Sequence, residues 1–504
     1  MCSNEQDSLG KDGTTGAGGW CRRVPARHVI MGVLAFKLVL VTYIGAMSSL
    51  TVVAMVRPRN ASNASAGGDC PAPLAPVNAS GPPDGQSGEF DWDEMTQSYI
   101  YAAPSLGSLL CLLLTVRLNE VWGPKLVVGW CMASTALLVA LGPVAARTGV
   151  WVYIALLFLR GCLGAPVGTG FVILFTAWLP ANERTRSAGI AFSATIVGTL
   201  LSMFTAGSLM EQYGWTMPAY ASAATSLPFL VVWYCLVYDT PLRHPRICPE
   251  ERAYIVATTN MDYVEVTPPA PWLKIVSSGP IWAHIAVQVA MSWTSFVFGA
   301  QLPTYLKNIL HFNIQQSSFI SALPHLANLV SNVTCSALSQ WLRSRRLLGH
   351  LTCYRLFNFL ATVASAAVIA AISGLGCDST AIVAVLVVAM ALNGSYFGGS
   401  FMNNLDLAPN FAGSVSALSS TVTGTISIIA PTIIGAITDQ QQTLAAWSKV
   451  FYVSAAVSAA PYLVFFALGS VDEQPWNRIS KDEEQVPIIN AEAEALAVDT
   501  SQDC

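Results

Sequence analysis

The chain has 504 residues, of which 53% are hydrophobic and 11% charged, and its formal net charge is −4. Soluble globular proteins average roughly 25% charged residues, so a water-soluble body of this size would lack the charge to cover its surface. Aqueous enzymes and disordered chains are excluded on that ground, and the net charge argues separately against a nucleic-acid binder. Most of the chain is expected to sit in lipid.

A helix crossing the hydrocarbon core needs about 20 mostly apolar residues. Twelve runs qualify: spans 1–6 near 29–56, 98–116, 125–145, 150–178, 187–208 and 217–238, and spans 7–12 near 279–302, 316–341, 351–374, 379–402, 413–437 and 446–469. Span 8 is the weakest, diluted by Asn328, Asn332 and Thr334. Strand-type alternation is absent, which argues against a barrel. The expected fold class is an all-α membrane protein of twelve transmembrane helices in two six-helix bundles. The parts are a cytosolic tail (1–28), a first bundle (29–238) with an exoplasmic loop (57–97), a cytosolic linker (239–278), a second bundle (279–469) and a cytosolic tail (470–504). The polar, arginine-bearing first 28 residues and the long apolar run after them read as a retained helix rather than a cleaved signal.

Charge orients the spans. With both termini in the cytosol, 18 of the 25 lysines and arginines fall inside, and only Arg57, Arg59, Arg147, Lys307 and Lys449 fall outside. Lys37 and Arg160 lie within spans. This bias follows the positive-inside rule. Three glycosylation sequons, at Asn60, Asn63 and Asn78, fall in the exoplasmic loop that this orientation requires. Of 12 cysteines, only Cys70 and Cys377 are exoplasmic. An oxidising compartment favours a disulfide between them, with two free thiols as the alternative, and the other cysteines are expected reduced.

A family resemblance becomes specific at Phe90-Asp91-Trp92-Asp93-Glu94-Met95-Thr96-Gln97. It continues through Leu159-Arg160-Gly161, Trp178-Leu179-Pro180, Asp239-Thr240-Pro241, Leu302-Pro303-Thr304-Tyr305-Leu306, Ser321-Ala322-Leu323-Pro324-His325 and Asn404-Leu405-Asp406-Leu407-Ala408-Pro409. In these blocks the chain resembles the anion–cation symporters of the major facilitator superfamily, the group of sialin, the vesicular glutamate transporters and the type I sodium–phosphate cotransporters. The resemblance implies alternating access about a midplane site, with spans 1, 4, 7 and 10 along the path. It also implies conformational or structural roles for Glu183 and Arg184 and for the loop 2–3 residues Glu120, Gly123 and Lys125. Val116 stands where that loop's leading glycine is usual.

An ionisable group inside a span marks a pathway by default. Arg160 is the best placed, and it matches the arginine the family keeps near its substrate. A guanidinium grips a carboxylate with a planar fork of donors, and a structural role between helices is the alternative. Lys37, nearer the cytosol, reads as a side chain snorkelling to the headgroups. Asp406 is expected to bond neighbouring helix ends or cytosolic arginines. His325 either titrates beside a cavity or is a hydrogen-bonded structural histidine.

Departures from the family pattern are as informative. Leu163, Val167 and Phe175 occupy the places of two span 4 glutamates and a histidine in the proton-coupled members. Met291 replaces a span 7 arginine and Tyr101 a span 2 histidine. Tyr101, Met291, Phe175 and His325 are thus candidate substrate-lining positions, with Trp293 as either cavity wall or core. Arg160 must then be balanced by substrate, chloride or Asp406, or must reach water. Transport without proton coupling is one consequence, and a greasier cavity for a larger anion is another. Gly161, Gly164 and Gly168 read as close helix contacts, and Gly394, Gly398 and Gly399 likewise.

The expected function is secondary active or facilitative transport of an organic or inorganic anion. A co-transported cation (H+ or Na+) or chloride and the lipid bilayer are the other partners. No metal, cofactor or enzymatic motif is expected. The rival is a transport-inactive homologue acting as receptor or scaffold. Glu484-Gln485-Val486-Pro487-Ile488-Ile489 resembles an acidic dileucine signal, so the plasma membrane or a lysosomal or vesicular membrane is the expected site.

Overall fold

The computed structural model describes residues 25–57, 88–179, 181–259, 270–310, 312, 314–439 and 443–477. Asn60, Asn63, Asn78 and Cys70 lie outside them, as do the side chains of Glu120, Glu183 and Arg184.

Twelve long helices follow the twelve apolar runs. They are α1 Ala26–Met55, α2 Glu94–Trp122, α3 Pro124–Thr148, α4 Val150–Trp178, α5 Ala181–Tyr213 and α6 Met217–Leu236. The second set comprises α7 Gly279–Asn308, α9 His350–Gly374 and α10 Ser379–Gly398, with α8 Ile314–Ser344, α11 Ala412–Thr438 and α12 Leu444–Leu468. Two short helices, Pro249–Thr259 and Trp272–Ser277, lie between α6 and α7. Among the described residues, ten of the twelve are long and apolar enough to cross a membrane. α8, which falls short, is the span its asparagines had marked as weak. Its Asn328 is buried and donates from Nδ2 to Met390 O of α10 at 3.1 Å, so a polar residue here joins two helices.

Interruptions in three helices left no mark in hydropathy. Wider turns break the α ladder at Val297–Gln301 in α7 and Leu360–Ala364 in α9. The tenth span tightens into 3-10 turns at Gly394–Gly398 and Ser400–Met402 before a short helix, Asn403–Leu407. Buried Asn358 holds that break. Its Oδ1 accepts from Ser400 N at 3.1 Å, and its Nδ2 donates to Ser400 Oγ at 2.9 Å. Gly398 packs where a Cβ would come within 2.6 Å of Cys335 O, so the close contact expected there is present.

The described residues form two compact units, one drawn from 25–52 and 106–259, the other from 53–57, 88–105 and 270–477. In the first, Leu34, Val128, Leu174, Trp178, Phe229 and Trp233 form a core. The two indoles are satisfied as well as buried: Trp178 Nε1 donates to Tyr238 O at 2.8 Å and Trp233 Nε1 to Lys125 O at 2.9 Å. A buried donor left without a partner would cost about 1–3 kcal/mol. In the second unit, Phe298, Leu306, Ile382, Ile434 and Trp447 are central. There Lys307 Nζ reaches Val53 O at 2.6 Å, placing a cation on the carbonyl end of α1.

Two expectations are corrected. Gly164 and Gly168 do not mediate close contact: among the described residues, a Cβ at Gly164 would meet only Ser108 Oγ at 3.8 Å, and one at Gly168 nothing within 4 Å. The tight approaches fall instead at Gly107 against Phe158 O and Gly198 against Val39 O. Cys248, expected reduced, is disulfide-bonded, as is Cys377. Cys111, Cys131, Cys162, Cys235, Cys335 and Cys353 are free thiols.

Candidate functional site

Arg160 lies ten residues into α4, facing α1. Its Nη1 donates to Ser48 Oγ at 2.6 Å, and it forms no ion pair among the described residues. The residue as a whole is of intermediate exposure. Space lies close by, since a Cβ at Gly45 on α1 would also meet nothing within 4 Å. A planar cation held by one hydroxyl and left without a carboxylate can still offer donors to an anion.

Lys37 corrects the snorkelling expectation. It is only 2% exposed, and its Nζ donates to Val167 O at 3.0 Å, 5.0 Å from the centroid of the Phe171 ring. Hydropathy places a lysine along a span but does not say which way it faces. This one faces inward, onto α4.

The remaining candidates are divided between the two units. Phe175 is buried in the first unit's core, with its ring centroid 5.5 Å from that of Phe171. In the second unit, Tyr101 packs edge-on to Phe296 at 6.1 Å. Met291 Sδ accepts from Asn393 Nδ2 at 3.3 Å. Trp293 is buried in the core. His325 is buried too, its Nδ1 3.1 Å from Ser321 O, an intrahelical bond.

Two polar clusters sit at loop ends, one in each unit. In the first, Gly123 has φ +82° and precedes Pro124 at the start of α3. Asp239 Oδ1 accepts from Lys125 N at 2.7 Å, so a carboxylate caps the positive end of α3. A side chain on Gly123 would crowd that carboxylate at 3.2 Å. The Lys125 ammonium lies 3.9 Å from the Tyr238 ring centroid. His244 stacks edge-on against Tyr238 and Trp178. Partial burial holds its imidazole below the ordinary histidine value, with Arg246 and Lys125 adding to the effect and Glu251 opposing it.

In the second, Asp406 Oδ2 accepts from Tyr354 OH at 2.7 Å. Arg343 Nη1 donates to His350 Nε2 at 2.9 Å, which makes that nitrogen the unprotonated one. The 3.6 Å approach of His350 to Asp406 is therefore no ion pair. Asp406 is thus engaged by a tyrosine, with Arg343 one residue further out.

Sequence reading missed Asp239 as the partner of the loop 2–3 residues, and missed Asn119 and Asn358. Asn119 is buried and donates to Thr169 Oγ1 at 3.0 Å. An uncharged amide inside an apolar run is the signal that could have found both asparagines.

Comparison with known proteins accords with this architecture. The Major Facilitator Superfamily profile matches residues 71–431. Human sialin is 28% identical over 409 residues, 81% of each chain. The probable small intestine urate exporter of Mus musculus is 28% identical over 387 residues, 77% of this chain and 78% of the other. Among solved structures, a D-xylose–proton symporter superposes with a TM-score of 0.63 at 13% identity, over 88% of this chain and 98% of its own. On the profile match, the twelve helices and the shared fold, this chain belongs to the major facilitator superfamily of membrane transporters.

Proposed function

We propose that the chain carries an anion of carboxylate or phosphate type across its membrane by rocker-switch alternating access, with Arg160 as the group that grips it. The observation that carries this reading is the state of Arg160: half-buried, bonded to a hydroxyl, and without a carboxylate partner among the described residues. A charge kept in a span costs a few kcal/mol on insertion scales, and an incoming anion offsets that cost. Asp406, the one acid weighed as an internal counter-ion, is engaged elsewhere. The names of the urate exporter and of a sodium-dependent phosphate transport protein of Mus musculus, 26% identical over 387 residues, each specify an anion. Both termini are placed in the cytosol on the charge bias of the loops.

Reconstituted protein is to be tested for uptake of sialate, glutamate, urate, inorganic phosphate and nucleotides, with Arg160→Ala alongside. Saturable uptake of one of them, lost in Arg160→Ala, supports the reading. A folded preparation that binds and moves none of them would favour a receptor or scaffold.

A further inference from the structure

Helices α2 and α4 run side by side in register. Gly107 on α2 packs so closely that a Cβ there would come 3.0 Å from Cys162 N on α4. Ser108 Oγ donates to Gly161 O at 2.9 Å. Further along, Asn119 Nδ2 donates to Pro166 O at 3.3 Å and to Thr169 Oγ1 at 3.0 Å. Residue numbers rise together on both helices through these contacts, so the two are parallel. The side chain one turn beyond Gly107 on the same face of α2 is Cys111. It meets Cys162, and the two thiols are hydrogen-bonded to one another.

That pairing distinguishes the two from other free thiols. Cys335 Sγ lies 3.5 Å from Ser331 Oγ and Cys353 Sγ 3.3 Å from Ser339 Oγ, so each of those is partnered by a serine. Neither Cys111 nor Cys162 is sealed, since both are half-buried. A disulfide requires Cα atoms about 4.4–6.8 Å apart, and the missing side chain of Gly107 lets the two backbones close in one turn away. Cys162 follows Arg160 by two residues, and at about 100° per residue the two point to nearly opposite sides of α4. Arg160 faces Ser48 on α1, whereas Cys162 faces Cys111 on α2. The thiol pair is therefore separate from the proposed anion grip.

We propose that Cys111 and Cys162 form a redox site that an organic hydroperoxide, the class that peroxidised acyl chains supply inside a bilayer, closes to a disulfide. A neutral, lipid-soluble oxidant suits thiols placed in apolar runs. One thiol attacks the peroxide and breaks its O–O bond, RSH + R′OOH → RSOH + R′OH. The second thiol then displaces water from the sulfenic acid, RSOH + RSH → RS–SR + H2O. Each sulfur gives up one electron and the peroxide takes both. A dithiol reductant reopens the bond by exchange, becoming a disulfide itself. The closed form ties α2 to α4 covalently where the open form joins these two side chains by a hydrogen bond.

The test uses full-length protein in liposomes, with cumene hydroperoxide as the probe. After oxidation, free thiols are blocked with N-ethylmaleimide and disulfides are opened with dithiothreitol. The thiols so released are alkylated with iodoacetamide and located by mass spectrometry. Cys248 and Cys377, already disulfide-bonded, report that opening and labelling have worked. Cys111 and Cys162 are expected to gain the second label together and in equal share, and peptides bearing the two are expected to be linked before reduction. Cys111→Ser should abolish the second label at Cys162, and Cys162→Ser that at Cys111. Absence of the linked peptides from oxidised wild type overturns the inference, and that result needs no variant to fold. A second label at either cysteine when the other is serine also overturns it, because oxidation would then stop at single thiols. Transport is not the readout, so failure here leaves the anion reading standing.

Discussion

At the residue scale, anion recognition depends on how Arg160 is held. One hydroxyl at 2.6 Å fixes one end of the guanidinium and leaves the remaining donors for a ligand. Arg160→Lys keeps the charge but loses the planar fork. It should weaken the apparent affinity for the transported anion by about tenfold, the equivalent of one hydrogen bond to a charged group, measured as a rise in KM for uptake. Gly164→Leu tests the space along the same helix. A Cβ there would meet only Ser108 Oγ, at 3.8 Å among the described residues, so the protein should fold while uptake falls. Arg160 was legible in the sequence because a cation in an apolar run is conspicuous. The direction Lys37 faces was not, because hydropathy averages over all faces of a helix. The glycine spacing of α4 was read as packing for a similar reason: spacing shows where close contact is allowed, and the neighbours decide whether it happens.

At the element scale, α3 and the linker after α6 depend on one carboxylate. Asp239 satisfies an orphan N–H at the start of α3, so Asp239→Ala should lower thermal stability by about 0.5–2 kcal/mol, as loss of a cap does. Gly123→Ala should destabilise as well, since its φ of +82° disfavours a side chain and the added Cβ would crowd Asp239. His244 adds a pH dependence. Its folded-state value lies below the unfolded one, so the unfolded chain binds the proton more readily. Its contribution to stability is full above the ordinary histidine range and is lost as the pH falls through the lowered value. Melting curves between neutral and mildly acid pH should show a shallower acid decline for His244→Gln. The helices themselves were readable from apolar length, and the weakness of span 8 followed from its asparagines. The wider turns in α7 and α9 depend on packing between neighbours, which one chain's hydropathy does not carry.

At the scale of the whole molecule, composition sufficed for the class, since 11% charge over 504 residues leaves a membrane protein as the only workable body. Orientation is a proposal with its own check. If the loop bearing Asn60, Asn63 and Asn78 is exoplasmic, glycosidase treatment of protein from animal cells should raise its gel mobility, and changing all three asparagines to Gln should abolish the shift. The most direct test of the central claim is equilibrium binding of the labelled anion that the wild type transports, compared between purified wild type and Arg160→Ala of equal stability. Saturable wild-type binding weakened at least about tenfold in Arg160→Ala is the result this account predicts. Equal affinity in the two proteins would contradict it.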